Sequence, residues 1–329
     1  MKHRNLGQNG PTVSAVGYGA MSFSNFYGPA TDEGSMAILD ECVELGITHI
    51  DTSNIYGQGR SETVIGEWLK KRGGPPPFTI ASKVGITFDK DRRLNNDPDH
   101  MQQALDESLA RLGVEALDLY YVHRRDTAHE IEEVTQTMAG FVKAGKVKAI
   151  GFSEIAPSSL RRAAAVHPIA AVQSEYSLSA RAPELGLVQA CAEVGATLVA
   201  FSPVGRSLLT DRPLTPEAIS KLGWLNANPR FIEPNLSANL AYSARFSALA
   251  ADLGVPAASL AIAWLLHQGE HVLPIPGTRS IAHLREAVAG ANLDLSVEDT
   301  ARIEDVLPVG WAHGDRYSPG QWVGPEGYC

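Results

Sequence analysis

Short apolar runs recur eight times along this 329-residue chain, and most of them precede a segment with helical spacing. Such alternation is typical of repeated β-α units and a parallel sheet. Most of the runs are continuous and rich in β-forming residues, as expected for strands buried on both faces. The predicted strands are Ala15–Gly19, Thr48–Asp51, Phe78–Lys83, Leu117–His123, Val147–Ser153, Ala171–Ser174, Thr197–Ser202 and His271–Ile275.

The gaps between the predicted strands each hold one helix candidate, and no low-complexity linker divides the chain. The pattern therefore favours a single (β/α)8 TIM barrel over residues 1–329, which is an α/β fold, instead of two doubly wound domains. The predicted helices are Asp32–Leu45, Ser61–Lys71, Pro98–Leu112, Ile131–Ala144, Pro157–Val166, Glu184–Val194 and Ile281–Ala289.

Three segments lie outside the repeat. Leu6–Gly10 predicts the turn of an N-terminal β-hairpin. A long insertion after predicted strand 7 runs from Pro203 to about Gly269 and contains two further helices, Leu236–Leu253 and Pro256–His267. Long insertions of this kind are often lids or binding loops. The chain ends in an irregular tail, Leu307–Cys329.

Charge and composition exclude several classes of partner. The net charge of −9 repels a polyphosphate backbone, so we expect no nucleic-acid partner. No run approaches the roughly 20 apolar residues that span a bilayer. Cys42, Cys191 and Cys329 lie far apart and form no C-x-x-C, which argues against a disulfide framework or a thiolate zinc site. We expect a cytoplasmic protein without a membrane partner; its oligomeric state is not indicated.

Common cofactor, hydrolase and metal motifs are incomplete. Residues 17–22 lack the third glycine of a dinucleotide fingerprint, and residues 151–155 lack the closing glycine of a nucleophile elbow. His123, Asp126 and His129 have a spacing that suggests metal ligands, but the paired strand-end histidines of metal-dependent barrels are absent. We therefore expect no Rossmann site, no hydrolase triad and no metal.

Ionisable residues end three consecutive predicted strands: Asp51, Lys83 and His123. Barrel enzymes place their active sites at this end of the strands. Tyr56 follows in the next loop, and a lysine beside it would lower the phenol pKa from about 10 and make the phenol a general acid. Each residue alone has a structural explanation, as a cap, a strand end, a core histidine or a packing aromatic. Together they suit the reduction of an aldehyde or ketone.

Motifs around these residues resemble those of the aldo-keto reductase superfamily, from the hairpin to about Ala291. Residues 49–57 (HIDTSNIYG) are similar to its strand-2 signature, residues 81–85 (ASKVG) to its lysine motif, and residues 119–124 (LYYVHR) to its histidine motif. The resemblance implies that a nicotinamide delivers a hydride to the carbonyl carbon while a tyrosine protonates the oxygen. The implied catalytic tetrad is Asp51, Tyr56, Lys83 and His123.

The resemblance also implies a cofactor, NADPH, with NADH possible as a substitute. Ser153 and Gln173 match side chains that hold the nicotinamide carboxamide, and Phe201 matches an aromatic that stacks on the ring. Residues 274–279 resemble a motif that binds the adenosine 2′-phosphate at a helix start, where Arg279 adds a planar cation. The implied cofactor contacts are Ser153, Glu154, Gln173, Phe201, Ser202, Pro203, Val204, Gly205, Arg206, Leu208, Gly277, Thr278, Arg279, His283 and Glu286.

Three residues depart from the family pattern. Glu154 stands where many relatives have Asn, which affects one carboxamide contact. His283 stands where Arg or Gln is common, and Ala287 replaces a frequent Asn after Glu286, which affects the preference for NADPH over NADH. These changes concern affinity more than chemistry.

Met21, Phe23 and Trp224 are predicted to line an apolar substrate pocket, whereas Arg124 and Arg125 are more typical of solvated charges than of carboxylate-binding residues. The predicted function is NADPH-dependent reduction of a small carbonyl compound, reversible as alcohol oxidation. An alternative stays open: a non-catalytic, nicotinamide-binding redox sensor or regulatory subunit resembling potassium-channel β subunits, which share this fold.

Overall fold

The computed structural model describes residues 1–89 and 93–328. Its strands are β1 (His3–Asn5), β2 (Thr12–Ser14), β3 (Tyr18–Gly19), β4 (His49–Asp51), β5 (Thr79–Val84), β6 (Leu119–Val122), β7 (Ile150–Ser153), β8 (Ala171–Glu175), β9 (Thr197–Phe201) and β10 (Val272–Pro274). Strands β3 to β10 form one sheet of eight parallel strands in chain order, which confirms the predicted fold.

The sheet closes into a barrel between β10 and β3. The backbone N–H of Gly17 donates to the carbonyl of Pro274 at 3.0 Å, and that of Gly19 donates to Pro276 at 3.1 Å. The chains approach so closely here that a Cβ atom on Gly277 would lie 2.4 Å from the carbonyl oxygen of Gly19. Glycine is therefore required at this seam.

The predicted N-terminal hairpin is present as β1 and β2, which pair antiparallel. Arg4 of β1 donates to the carbonyls of Leu266, Gly269 and Val272 before and within β10. Parallel strands all begin at the same end of the barrel, so these contacts place the hairpin at its N-terminal end. The C-terminal end is left to the loops that follow the strands.

Helices alternate with the strands as expected, with one interruption and three additions. Gly186, with a φ of 131°, breaks the predicted helix Glu184–Val194 into a 3-10 turn and a shorter helix. One additional helix, which was not predicted, runs over Val297–Val306 and begins at a capping box formed by Ser296 and Asp299. The helices are α1 (Asp32–Glu44), α2 (Arg60–Arg72), α3 (Pro98–Leu112), α4 (Ile131–Lys143), α5 (Pro157–Ala164), α6 (Leu187–Val194), α7 (Pro216–Ser220), α8 (Gly223–Asn226), α9 (Asn235–Asp252), α10 (Ala257–His267), α11 (Ile281–Ala289) and α12 (Val297–Val306).

The insertion after β9 contains the additions α7 and α8 besides the two predicted helices, α9 and α10. Among the described helices, none alone is long and apolar enough to cross a bilayer. Only α9 and α10 taken together would be, and they meet at an angle of 88°. Cys42 and Cys191 are buried and free, and Cys329 lies outside the described residues.

Side chains along each strand alternate between two buried layers. Ala81 of β5 and Tyr121 of β6 lie in the cluster that fills the barrel, whereas Ile80 and Tyr120 belong to the larger cluster between sheet and helices. Because successive side chains point to opposite faces, Lys83 continues the inward row that begins at Ala81. The apolar interior therefore carries a polar layer at its C-terminal end.

Candidate active site

The four predicted catalytic side chains meet at this end of the barrel. Lys83 is completely buried, and its ammonium donates hydrogen bonds to Oδ1 of Asp51, to the carbonyl of Thr52 at 2.7 Å and to the phenolic oxygen of Tyr56 at 3.3 Å. His123 directly follows β6, and its ring meets that of Tyr56 edge-on, with 5.8 Å between centroids. The predicted arrangement of lysine, phenol and imidazole is therefore observed.

His123 is a neutral imidazole at neutral pH. Burial, together with the charges of Arg124 and Lys83, lowers the pKa of His123 well below its ordinary value. One ring nitrogen, Nδ1, lies 3.2 Å from Oγ of Ser53. A neutral imidazole carries a single N–H, so this residue is suited to donating one hydrogen bond without adding charge.

The pKa of Tyr56 shifts in the direction opposite to the one predicted. Burial raises the pKa of the Tyr56 phenol above its ordinary value and outweighs the lowering effect of Lys83. Burial also opposes the charge on Lys83, but Asp51 and Tyr56 outweigh it, and the net pKa of Lys83 is raised. At neutral pH the site therefore holds a protonated phenol beside a permanent ammonium.

Gln173 connects the tetrad to β8. Its amide nitrogen donates to Oδ2 of Asp51 at 2.7 Å, and the side chain is buried. A carboxylate only accepts hydrogen bonds, so the amide nitrogen must face Asp51 and the amide oxygen remains for another donor.

Ser153 and Phe201 lie near Gln173 at the ends of the neighbouring strands. Ser153 pairs with Gln173 in the parallel ladder, and Phe201 ends β9 beside Glu175. The hydroxyl of Ser153 accepts a hydrogen bond from Nη1 of Arg124 at 3.1 Å, which leaves its own O–H to donate elsewhere. Phe201 is partly exposed. The two predicted carboxamide contacts and the predicted stacking aromatic therefore lie side by side.

Glu154 faces the protein itself, in contrast to the carboxamide contact that was predicted for it. Its backbone is left-handed, with a φ of 59°, and one carboxylate oxygen pairs with Arg316. The other accepts from the hydroxyl of Ser174 and the backbone of Glu175, both at 2.9 Å. Burial opposes the charge, but Arg316 and Arg124 outweigh it and lower the pKa of Glu154. Both oxygens of this carboxylate are thus already bound.

The loop after β9 has an unusual backbone. Ser202, Gly205, Arg206 and Ser207 all have positive φ values, between 51° and 85°. Residues of this conformation turn successive backbone N–H groups toward a common concavity that suits an anion. Gly205 also allows a close approach, because a Cβ atom there would lie 2.8 Å from Oγ of Ser179. Of the other predicted loop contacts, Pro203 and Leu208 are buried and Val204 is partly exposed.

The side chain of Arg206 points into the protein, so only its backbone is available in this loop. Its guanidinium donates to Oε2 of Glu175 and to the carbonyl of Arg316, each at 2.7 Å. It also lies over the rings of Trp224 and Tyr317, at 5.3 and 5.2 Å from their centroids. Sequence reasoning did not distinguish this inward arginine from a phosphate-binding one.

The start of α11 is open to solvent. The hydroxyl of Ser280 caps the helix by accepting a hydrogen bond from the backbone N–H of His283. His283 and Gly277 are both exposed. Arg279 reaches across to the loop after β3 and donates to the carbonyls of Pro29 and Tyr27, the latter at 2.7 Å. Two other predicted contacts are partly exposed: Thr278 lies before the N-cap residue, and Glu286 lies on the helix.

One of the three predicted pocket residues is misplaced. Phe23 is fully buried and packs on Tyr18 with 5.4 Å between ring centroids. The 3-10 turn after β3 directs this side chain into the core. The prediction of Phe23 as a pocket residue is therefore wrong. Met21 is partly exposed in the same turn. Trp224 of the insertion stacks on Phe26 at 4.7 Å, so two loops meet over this side of the barrel.

Sequence reasoning missed the role of the C-terminal tail, residues 307–328, which crosses the mouth of the barrel. Arg316 pairs with Glu154 and, at 3.4 Å, with Glu175. The rings of Tyr317 and Trp322 lie 4.7 and 4.8 Å from the Arg316 guanidinium. An arginine beside aromatic residues was the only available signal, and it did not identify the two carboxylates.

The end of the tail is anchored beyond the mouth. Glu326 pairs with Arg125 at 2.7 Å and accepts from the backbone N–H of Ala156 at 2.8 Å, just before α5. The hydroxyl of Tyr328 lies 2.7 Å from that of Ser174. The tail is therefore bound on both sides of the strand ends that carry Ser153 and Gln173.

The two histidines whose spacing suggests metal ligands make other contacts in the structure. His129 lies 2.8 Å from Asp97, and His123 faces Ser53. Within residues 1–89 and 93–328, no group of three His, Cys, Asp or Glu side chains is arranged to hold a metal ion.

Comparisons with known proteins agree on one family. The profile of the Aldo/keto reductase family matches residues 15–308. The NADP(+) aldo-keto reductase yakc of Schizosaccharomyces pombe is 37% identical over 94% of this chain and 93% of its own length. The aldo-keto reductase str7 of Strobilurus tenacellus is 36% identical over 95% of this chain and 94% of its own length.

A solved structure shows the same fold. The glycerol dehydrogenase AKR11B4 from Gluconobacter oxydans superposes with a TM-score of 0.81, covering 93% of this chain and 94% of its own, at 24% identity.

Proposed function

The chain belongs to the aldo/keto reductase family, and from that premise we propose that it is an NADP(H)-dependent oxidoreductase that reduces an aldehyde or ketone and, in reverse, oxidises the alcohol. The observation that carries this proposal is the hydrogen bond of 3.3 Å between the buried ammonium of Lys83 and the phenol of Tyr56. The NADP(+) in the name of the yeast relative supports the choice of cofactor.

The residues at the mouth fit a nicotinamide dinucleotide. Among the described residues, no hydrogen bond uses the amide oxygen of Gln173 or the O–H of Ser153, so these are an acceptor and a donor at adjacent positions, which is what a carboxamide needs. The left-handed loop after β9 offers backbone N–H groups to a pyrophosphate. When bound in its reduced form, the nicotinamide supplies a hydride to the carbonyl carbon.

The open N-terminus of α11 supports NADPH over NADH. Helix N-termini favour anions because their first N–H groups lack partners. Arg279 lies at this terminus and is exposed. If a 2′-phosphate bound there, Arg279 would release the two backbone carbonyls and form two hydrogen bonds to the charged phosphate instead.

Tyr56 would donate the proton to the carbonyl oxygen. Its raised pKa keeps the phenol protonated at neutral pH, so the proton is present when the substrate binds. Transfer leaves a phenolate, and the ammonium of Lys83 stabilises that charge. Asp51 keeps Lys83 in place and charged. The neutral imidazole of His123 would donate a hydrogen bond that orients the same oxygen.

The test is a kinetic one. NADPH and NADH oxidation is followed by absorbance with a panel of aldehydes, ketones, sugars and pyridoxal-like compounds. We expect turnover with NADPH and a loss in kcat of about 10²- to 10⁴-fold in Tyr56→Phe, the usual contribution of a general acid. The dissociation constant of NADPH, measured by fluorescence, should stay unchanged in this variant.

Tyr242→Phe is the matched control, because it removes a phenol on α9 that packs against Trp311 away from the tetrad; its kcat should equal that of the wild type. Tight NADPH binding by the wild type without turnover of any carbonyl would instead favour the regulatory alternative, a nicotinamide sensor resembling potassium-channel β subunits. Absence of nicotinamide binding would contradict both functions.

A further inference from the structure

Arg124 lies at the mouth of the barrel, between the tetrad and the C-terminal tail. The other cations that face the tetrad and the tail are paired: Lys83 with Asp51, Arg316 with Glu154, and Arg206 with Glu175. Among the described residues, no Asp or Glu forms an ion pair with Arg124. Arg124 differs from these cations in that its guanidinium, which is partly exposed, is open to an anionic ligand.

Arg124 is held in a defined position, unlike a solvated surface arginine. Its Nη1 donates to the carbonyl of His123 at 2.6 Å and to the hydroxyl of Ser153 at 3.1 Å. Gly324 of the tail packs on its stem so closely that a Cβ atom there would lie 2.9 Å from Cβ of Arg124. The guanidinium is therefore preorganised before any ligand binds.

Three of its five N–H donors remain. Both of its side-chain hydrogen bonds use Nη1, and within the described part of the chain none comes from Nε or Nη2. The side chain is partly exposed. Nε and Nη2 form one planar edge whose geometry matches a carboxylate.

Arg124 lies beside the reaction site, where its Nη1 contacts the carbonyl of His123 and the hydroxyl of Ser153. Arg124 directly follows His123, and its charge acts on the imidazole of His123 and on the phenol of Tyr56. These are the two groups that would hold the carbonyl oxygen. Glu154 does not turn toward Arg124, because its oxygens are bound by Arg316, Ser174 and a backbone N–H.

We propose that Arg124 is a specificity-determining residue that binds a carboxylate on the substrate, so that the preferred substrates are aldehydes or ketones that also carry a carboxylate. This inference rests on the proposed function and names the substrate class of the same site. The carboxylate binds the Nε and Nη2 edge while the carbonyl oxygen faces Tyr56 and His123.

The experiment compares two substrates that differ in charge, 4-carboxybenzaldehyde and methyl 4-formylbenzoate. The ester has the more electrophilic carbonyl, so a preference for the acid comes from the protein. We expect the wild type to favour the acid by at least about 10-fold in kcat/KM, the size of one hydrogen bond to a charged group. Added salt should reduce that preference.

Arg124→Gln should lower kcat/KM for the acid by about 10- to 100-fold while the value for the ester changes by less than about 3-fold. Arg124→Lys, which keeps the charge but loses the planar edge, should recover part of the difference. Arg161→Gln is the matched control: it removes the same charge from the exposed surface of α5 and should leave both substrates unchanged.

A second measurement does not depend on the folding of a variant. Benzoate should inhibit the wild type competitively with the aldehyde and about 10-fold more tightly than benzamide, which is neutral. Equal inhibition by the two, or equal losses for acid and ester in Arg124→Gln accompanied by a raised KM for NADPH, would overturn the inference in favour of a positioning role through Ser153.

The two hypotheses fail in different ways. Reduction of the ester without any preference for the acid overturns the substrate class and leaves the reductase function intact. Failure to reduce any carbonyl in the panel overturns the reductase function and, with it, this inference.

Discussion

Gln173 donates a hydrogen bond of 2.7 Å to Oδ2 of Asp51, whose other carboxylate oxygen binds Lys83. The amide therefore adjoins the tetrad on one side and, through its oxygen, the place proposed for the carboxamide on the other. A residue with both contacts affects the charge on Lys83 as well as the affinity for the cofactor.

Gln173→Met should therefore lower kcat and weaken NADPH binding together. It leaves one oxygen of a buried carboxylate without a donor, which costs about 1.5 to 3 kcal/mol. The measurements are steady-state kcat and a fluorescence titration with NADPH. Gln189→Met, on the exposed face of α6, is the control and should change neither. Weaker NADPH binding with an unchanged kcat would show that Gln173 has no influence on the tetrad.

Lys83→Met should destabilise the fold as well as abolish turnover. The substitution leaves Asp51 as a buried carboxylate without its cation, and breaking such a pair typically costs about 3 to 5 kcal/mol. The double variant Asp51→Asn with Lys83→Met removes both charges and should recover most of the free energy of unfolding. It should recover none of the activity, because the phenolate lacks its ammonium.

Urea denaturation of the two variants beside the wild type checks this prediction. If the double variant were no more stable than Lys83→Met, the buried ion pair would not be the origin of the loss.

Arg316→Met should detach the C-terminal tail. Glu154 would lose the arginine that compensates the burial of its negative charge. Water can solvate this carboxylate only if the tail moves away, so the substitution favours detachment. The measurement is limited proteolysis with chymotrypsin, which cleaves after the aromatic residues Tyr317 and Trp322 once they are exposed. We expect faster cleavage in the tail, at an unchanged rate elsewhere in the barrel.

Arg302→Met is the matched control, because it breaks a surface ion pair with Asp252 on neighbouring helices. Exposed pairs contribute about 0 to 1 kcal/mol, so its cleavage pattern should equal that of the wild type. A tail in Arg316→Met as resistant as in the wild type would mean that the aromatic contacts hold it without the ion pairs.

Stability should fall as the pH decreases below about 6.5, the ordinary histidine pKa. Burial lowers the pKa of both His123 and His49 in the folded state. Between the two pKa values the unfolded chain binds more protons than the folded one, so the free energy of unfolding rises with pH there. It reaches its full value above the unfolded pKa. Each group contributes a slope of about 1.4 kcal/mol per pH unit.

Chemical denaturation between pH 5 and 7.5 measures this slope. His49→Gln should reduce it by about one proton, since His49 has one ring nitrogen on Thr79 and the other without a partner among the described residues. Exposed His283→Gln is the control. An unchanged slope in His49→Gln would show that this imidazole binds protons equally in the folded and unfolded states.

The repeated units could be predicted from the sequence because their signals are local. The apolar run that ends at Asp51 and the one that ends at Lys83 each identify a strand without knowledge of any other segment. Parallel strands end at the same side of a barrel, so the closeness of Asp51 and Lys83 followed from fold class alone. The helix α12 was also within reach, since Ser296 and Asp299 form a capping box in sequence.

Other features had no local signal. Phe23 and Met21 lie two residues apart in one short turn, and only the path of that turn decides that one is in the core and the other partly exposed. The pKa of Tyr56 depends on how much of the phenol is removed from water, which no motif encodes. The partners of Arg316 lie 162 and 141 residues away in the chain.

What the sequence determined by itself was the barrel and the end of the barrel at which Asp51, Lys83 and His123 meet, because strand periodicity and strand order place these strand-end residues. Only the tertiary structure decided the electrostatics: that Arg206 points inward, that Glu154 is bound by the tail, and that Arg124 uses only Nη1 for its hydrogen bonds within the described residues. Charges act through space and through the loss of water, and both depend on contacts between segments that are distant in the chain.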